Sequence, residues 1–215
     1  VPADLLPLAL AIAASPFPVV PAILLLFTAR PRATTAGFLT GWFVGVAAAT
    51  TTFALLAEVV ELADEPPTWA SWTRVVLGLL LVVLGAREWL TRGADPKQPA
   101  WMAGLDTAVP SSALRLGLLL SAANPKIIVL AAAGGIVIGS AGLAVASAIG
   151  ATVAFALVAS VTVAGPLLAY LVAGERALGL LGHVRAWLQR HSSAVMAIVL
   201  VLIGLALVST GVSGL

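Results

Sequence analysis

Leu118-Leu119-Leu120-Ser121-Ala122-Ala123-Asn124-Pro125-Lys126-Ile127-Ile128-Val129-Leu130 sets an amide, a helix-breaking proline and a cation inside an apolar run of membrane-spanning length. A lysine at the centre of a bilayer costs about 2.5–3.5 kcal/mol on insertion scales, so it is expected to face a partner or an aqueous cavity. The proline removes one backbone hydrogen bond and frees a carbonyl. Freed backbone at membrane depth is tolerated only where protein or a polar cavity surrounds it, so Asn124-Pro125-Lys126 marks the expected site. Snorkelling does not rescue the lysine: about 12–14 residues, roughly 20 Å of helix, separate it from either end of its run, beyond the reach of its stem. Asn124 before Pro125 is good N-cap chemistry for a second half-helix. The start of such a half-helix offers N–H groups and a positive dipole end to an anion.

The rest of the chain is built for the same solvent. Of 215 residues, 61% are hydrophobic and only 9% charged, and the mean hydropathy is +1.12. This composition excludes a soluble globular domain and implies a polytopic membrane protein. A pI near 9.7 does not point to nucleic acid, because 11 Lys+Arg face 9 Asp+Glu and the basic residues fall in short connections. The absence of cysteine excludes disulfides, thiolate metal sites and dithiol redox chemistry. The first apolar segment lacks a basic leader and is read as a membrane span rather than a signal peptide.

A crossing needs about 20 apolar residues, which predicts six spans near 5–28, 35–57, 69–90, 112–137, 142–172 and 193–213. Gly165-Pro166 is expected to kink the long fifth span or begin its exit. Arg30 and Arg32 follow the first span, Arg87, Arg92, Lys97 and Arg115 surround the third connection, and Arg176, Arg185 and Arg190 lie in the fifth. The opposite side carries Glu58, Glu61, Asp64 and Glu65. The positive-inside rule then makes the first, third and fifth connections cytoplasmic and both termini extracytoplasmic, in a multi-pass protein of the cytoplasmic (inner) membrane. Short interfacial helices are expected around Trp101-Met102-Leu105 and Leu178-Trp187-Leu188.

The two halves resemble each other. Ser15-Pro16-Phe17-Pro18 interrupts the first span as Asn124-Pro125-Lys126 interrupts the fourth. Small residues recur every fourth position at Gly37/Gly41/Gly45/Ala49 and at Gly142/Ala146/Gly150/Ala154, followed by hydroxyls at Thr50, Thr51 and Thr52 and at Ser160 and Thr162. Three crossings separate the halves, so they run in opposite directions. The expected fold is all-α, with six transmembrane helices in an inverted 3+3 repeat whose helices 1 and 4 are broken near the midplane. Residues 1–92 form the first three-helix repeat, 93–111 a cytoplasmic connection and 112–215 the second repeat. The expected substrate-binding set is Lys126, Asn124 and Pro125 with Ser15, Pro16, Thr51 and Arg115. Arg115 serves either as a topogenic charge or as a holder of a lipid phosphate, and the acidic Glu58–Glu65 stretch is a solvated connector.

Catalysis has little to stand on. His183 and His191 lie in the last cytoplasmic connection, and the spans show no histidine cluster with metal-ligand spacing, no carboxylate pair and no nucleophile elbow. No carboxylate is expected at depth, no metal or other cofactor is implied, and an enzyme is not the expected function.

Ser15-Pro16-Phe17-Pro18, Gly37-Phe38-Leu39-Thr40-Gly41-Trp42, Asn124-Pro125-Lys126 and Arg185-Ala186-Trp187-Leu188, in this order and spacing, resemble the GAP family of glycolipid- or sulfolipid-addressing membrane proteins of actinobacteria, within the LysE-type exporter superfamily. The resemblance covers essentially the whole chain. It implies six spans with inverted repeats and a lipid-like substrate, a glycolipid of the cell envelope. Where many family sequences continue the motif with a further Asn, this chain has Ile127.

Together these readings predict a transporter or flippase that exports an anionic lipid or glycolipid. Lys126 would hold the headgroup charge, and the half-helix starts at Ser15-Pro16 and Asn124-Pro125 would donate N–H groups. Loss of the Lys126 proton on substrate release would couple export to the proton gradient. The glycine stripes permit a homodimer. Rival readings are an exporter of a small soluble solute, as in the LysE branch, a non-transporting scaffold for envelope-lipid enzymes, and, remotely, a membrane-embedded acyl or glycosyl transferase. A cationic amino acid would require an intramembrane carboxylate.

Overall fold

The computed structural model describes residues 4–61, 68–90 and 105–213. Most of the 93–111 connection, with Lys97 and Trp101, lies outside them, as do Asp64 and Glu65 of the acidic stretch and the side chains of Arg185, Trp187, Arg190 and His191.

Among the described residues all regular structure is helical. The first apolar run forms α1, Leu5–Ala13, and α2, Val19–Leu24, followed by a 3-10 turn at Leu25–Phe27. Then come α3, Pro31–Glu61; α4, Thr68–Leu90; α5, Pro110–Ala122; α6, Pro125–Gly139; α7, Val145–Ala173; and α8, Arg176–Val212. Three of these helices open on proline, where the missing N–H costs nothing and φ is already helical. Helix α7 closes at Gly174, whose φ of +59° is a left-handed conformation open to a residue without Cβ. Among the described residues two helices, Pro31–Glu58 within α3 and Val145–Ala173, are long and apolar enough to cross a membrane. The α5–α6 pair, bent by 70°, makes a third if it counts as one span.

Two expectations are corrected. The fifth span does not begin its exit at Gly165-Pro166: helix α7 runs through them to Ala173, with Pro166 buried, because neighbouring helices and local adjustment can satisfy the carbonyl that a proline frees in an apolar setting. The stretch around Leu178-Trp187-Leu188 is not a separate short helix: it continues into the last apolar run as the 37-residue α8.

Packing joins the first half of the chain to the second. The main neighbours of α3 are α5 and α6, that of α4 is α8, and α1 packs on α7 and α6. Glycines set the closest approaches, as expected where lipid gives helices no hydrophobic reason to associate and contact area must do the work. Gly37 meets Pro110, Gly41 meets Leu114 and Gly45 meets Ser121, so α3 and α5 run side by side in the same direction. Gly117 returns the contact against Phe38 and Trp42. Farther along α3, Gly135 and Gly139 of α6 lie on Thr50 and Ala54. In the α4–α8 pair, a Cβ on Gly78 would lie 2.6 Å from the Gly204 carbonyl oxygen and one on Gly211 2.9 Å from that of Ser71, an antiparallel arrangement.

The two small-residue stripes, alike in sequence, differ in use. The α3 stripe is the seam just described. On α7, Ala146, Gly150 and Ala154 are exposed, and nothing lies within 4 Å of a Cβ placed on Gly150.

Candidate functional site

Each broken helix lies beside a long continuous one. The α5–α6 break follows Ser121, which packs on Gly45 near the middle of α3. The α1–α2 break lies against α7, whose Thr162 hydroxyl donates a 2.6 Å hydrogen bond to the Ala13 carbonyl, one of those orphaned where α1 stops. Thr162→Val is expected to cost about 0.6–1.7 kcal/mol, the range of interhelical hydrogen bonds in membranes, read as a lower midpoint of thermal unfolding in detergent.

At the second break the sequence reading holds residue by residue. Asn124 is extended, with φ −85° and ψ 113°, and its side-chain oxygen accepts from the Lys126 amide at 3.1 Å. Its backbone carbonyl accepts from Ile128 N–H at 3.0 Å. Pro125 then occupies the first helical position. Asn124→Ala is expected to lose about 1 kcal/mol of cap energy, measured as a fall in thermal midpoint.

The Lys126 ammonium leaves this break toward α4. Its Nζ donates to Glu88 Oε2 at 2.5 Å, an ion pair between side chains only 22% and 24% exposed. Glu88 sits two residues before the end of α4 and is therefore helical, not part of a charged loop. The sequence reading leaves Lys126 without a partner; here the cation finds its anion across the bundle, near the end of α4. A signal was available, because Glu88 is the only acidic residue inside any of the six predicted spans.

The first break offers less than its sequence promised. The N–H groups of Val19 and Val20 both point at the Pro16 carbonyl, at 3.1 and 3.3 Å, and Ser15 N–H is taken by Ile12. Ser15 is buried, and α2 has six residues. Those amide donors are spent locally, where the chain bends at Ser15 and Pro16.

Thr51 and Arg115 are not gathered at Lys126. Arg115 is exposed on the second turn of α5. Thr51 lines a groove of about 610 Å³ between the C-terminal half of α3, the end of α6 and the start of α7, whose walls include Ala47, Gly139, Ile149 and Thr152 with Glu58 at one end, but none of Asn124, Pro125 or Lys126. On either side of Gly45 in α3, Trp42 Nε1 and Thr50 Oγ1 are buried with no hydrogen-bond partner among the described residues. Those donors were not singled out as a site from sequence. Among the described residues there is no group of three or more His, Cys, Asp or Glu that could hold a metal ion.

Residues 5–213 match the family model described as Sap, sulfolipid-1-addressing protein. No curated protein and no solved structure matches the chain.

Proposed function

Because this chain belongs to the sulfolipid-1-addressing protein family, we propose that it exports an anionic lipid or glycolipid of the cell envelope across the cytoplasmic membrane, acting as a transporter or flippase rather than an enzyme. The observation that carries the proposal is the Lys126–Glu88 ion pair beside a helix break. Lys126 offers a cation for which a substrate anion would compete with Glu88, and the released Glu88 carboxylate, 24% exposed, would then need solvent or a proton in its place. Asn124 and Pro125 fix the backbone from which Lys126 reaches.

In this reading the protein crosses the membrane six times as an inverted 3+3 repeat with both termini outside, α1–α2, α3 and α4 exchanging with α5–α6, α7 and α8. The pairing of helices supports it. The broken α1–α2 lies on α7 as the broken α5–α6 lies on α3, while α4 pairs with α8, its own counterpart under that exchange. Alternating exposure of a midplane site is the transport mode such architectures use.

Purified protein in liposomes, with a fluorescent anionic lipid in one leaflet, tests the proposal. The expected result is protein-dependent movement of that lipid between leaflets and none of a zwitterionic control. Absence of movement by folded protein would overturn it.

One observation favours a second reading. With Glu88 beside Lys126 the site holds both charges, the complement of a zwitterion, so the carboxylate that a LysE-like amino-acid exporter would need is present. Counterflow of a labelled amino acid in the same liposomes, without lipid movement, would select that reading.

A further inference from the structure

The groove between α3 and α7 is separate from the ion pair, and its chemistry is different. Its walls are apolar apart from Thr51, Thr152 and Glu58. In apolar surroundings a helical hydroxyl ordinarily returns its hydrogen bond to the carbonyl four residues back. Thr40 does so to Ala36, Thr52 to Ala48 and Ser160 to Ala156. Thr51 and Thr152 make no such bond, or any other, to a described residue, and both line the groove. Thr152 is only 8% exposed. Thr51 is exposed and the Thr152 oxygen is left open toward the groove, so both hydroxyls are available to a ligand that enters it.

We propose that this groove binds one chain of a membrane lipid bearing an uncharged, hydroxyl-rich headgroup, with Thr152, Thr51 and Glu58 accepting or donating hydrogen bonds to that headgroup. A volume of about 610 Å³ suits one small ligand or one lipid chain rather than a whole multi-chain lipid. The exposed Glu58 carboxylate only accepts, and it repels anions. It therefore selects headgroup hydroxyls and leaves the acidic group of a substrate to Lys126. The groove lies toward the end of α3 opposite Arg30 and Arg32, the extracytoplasmic end in the orientation proposed above. The assignment rests on the lipid-export reading and makes the groove the outer station for the sugar-bearing part of the same lipid.

Native mass spectrometry of the full chain, released from nanodiscs containing glucosyl-diacylglycerol, phosphatidylglycerol and phosphatidylcholine, tests it. The wild type is expected to retain one glucosyl-diacylglycerol. Retention should fall by about tenfold or more in Thr152→Leu, which fills the groove, and in the isosteric pair Thr51→Val with Thr152→Val, which keeps its shape and removes both hydroxyls. Lys126→Ala should retain the lipid fully while losing transport, which separates failure of the groove from failure of the export reading. Equal retention by wild type and by the double valine variant would overturn the proposal, as would preference of the Lys126→Ala variant for phosphatidylglycerol, or retention of diacylglycerol as strongly as of its glucosylated form.

Discussion

Lys126→Ala is expected to lower lipid transport in liposomes by about 10- to 150-fold, the equivalent of one charge-assisted hydrogen bond of about 1.5–3 kcal/mol. Its partner Glu88 gives the sharper test. If the ion pair were only structural, removing either side would unbalance the other, and removing both together would restore the protein. Lys126→Met combined with Glu88→Gln is therefore expected to recover most of the thermal stability lost in Lys126→Met alone, yet to stay as inactive as the single variant. Glu88→Gln alone keeps the cation and removes its resident competitor. It is expected to bind an anionic lipid more tightly and to release it more slowly, seen as a lower half-saturation with a lower maximal rate. Full transport by the double variant would show that neither charge touches substrate.

Gly41→Ala and Gly150→Ala, the same substitution on two stripes of the same period, are expected to change stability in opposite directions. At Gly41 the new Cβ would run into the Leu114 carbonyl, and α3 would have to part from α5; overpacking of this kind costs about 1–3 kcal/mol. The reciprocal Gly117→Ala would meet Phe38 and Trp42 backbone and belongs with it. At Gly150 nothing lies within 4 Å, so the helix gains the advantage of alanine over glycine, about 0.5–1 kcal/mol. Thermal unfolding of the detergent-solubilised variants reads both signs, and destabilisation by Gly150→Ala would mean that another surface covers this part of α7.

The reasons for what the sequence revealed and what it hid are physical. Hydropathy located the helical runs because every backbone group in lipid must be satisfied within its own segment. Pro125 after Asn124 located the second break because those residues act on their own neighbours. At Ser15-Pro16 two prolines in four residues produce a bend in which the N–H groups of Val19 and Val20 fold back on the Pro16 carbonyl, a detail that residue types alone do not give. Small-residue periodicity says that a helix face is smooth, not what lies on it, so the exposed Gly150 and the packed Gly41 looked equivalent. Glu88 was hidden by position: next to Arg87 at a span end it resembles an orienting charge, and only the path of α4 brings it to Lys126. The groove hydroxyls are half legible, since the sequence sets Thr51 in one binding set with Lys126, whereas its place in a groove without Lys126 depends on how α6 turns away from α5.

The hydrogen bond from Thr162 to Ala13 also bears on how the protein is made. Its partners lie 149 residues apart. At about 5–20 residues per second of synthesis, roughly 7–30 s pass between the appearance of Ala13 and that of Thr162. Neither α1, with nine residues, nor α2, with six, is long enough to cross the hydrocarbon core by itself. If this run is the first of the six spans proposed above, the newborn segment enters the membrane as one apolar stretch. Its bend takes final form only when the far half of the chain arrives to accept it, so a ribosome-bound chain truncated before Thr162 would carry an N-terminal segment without its native shape.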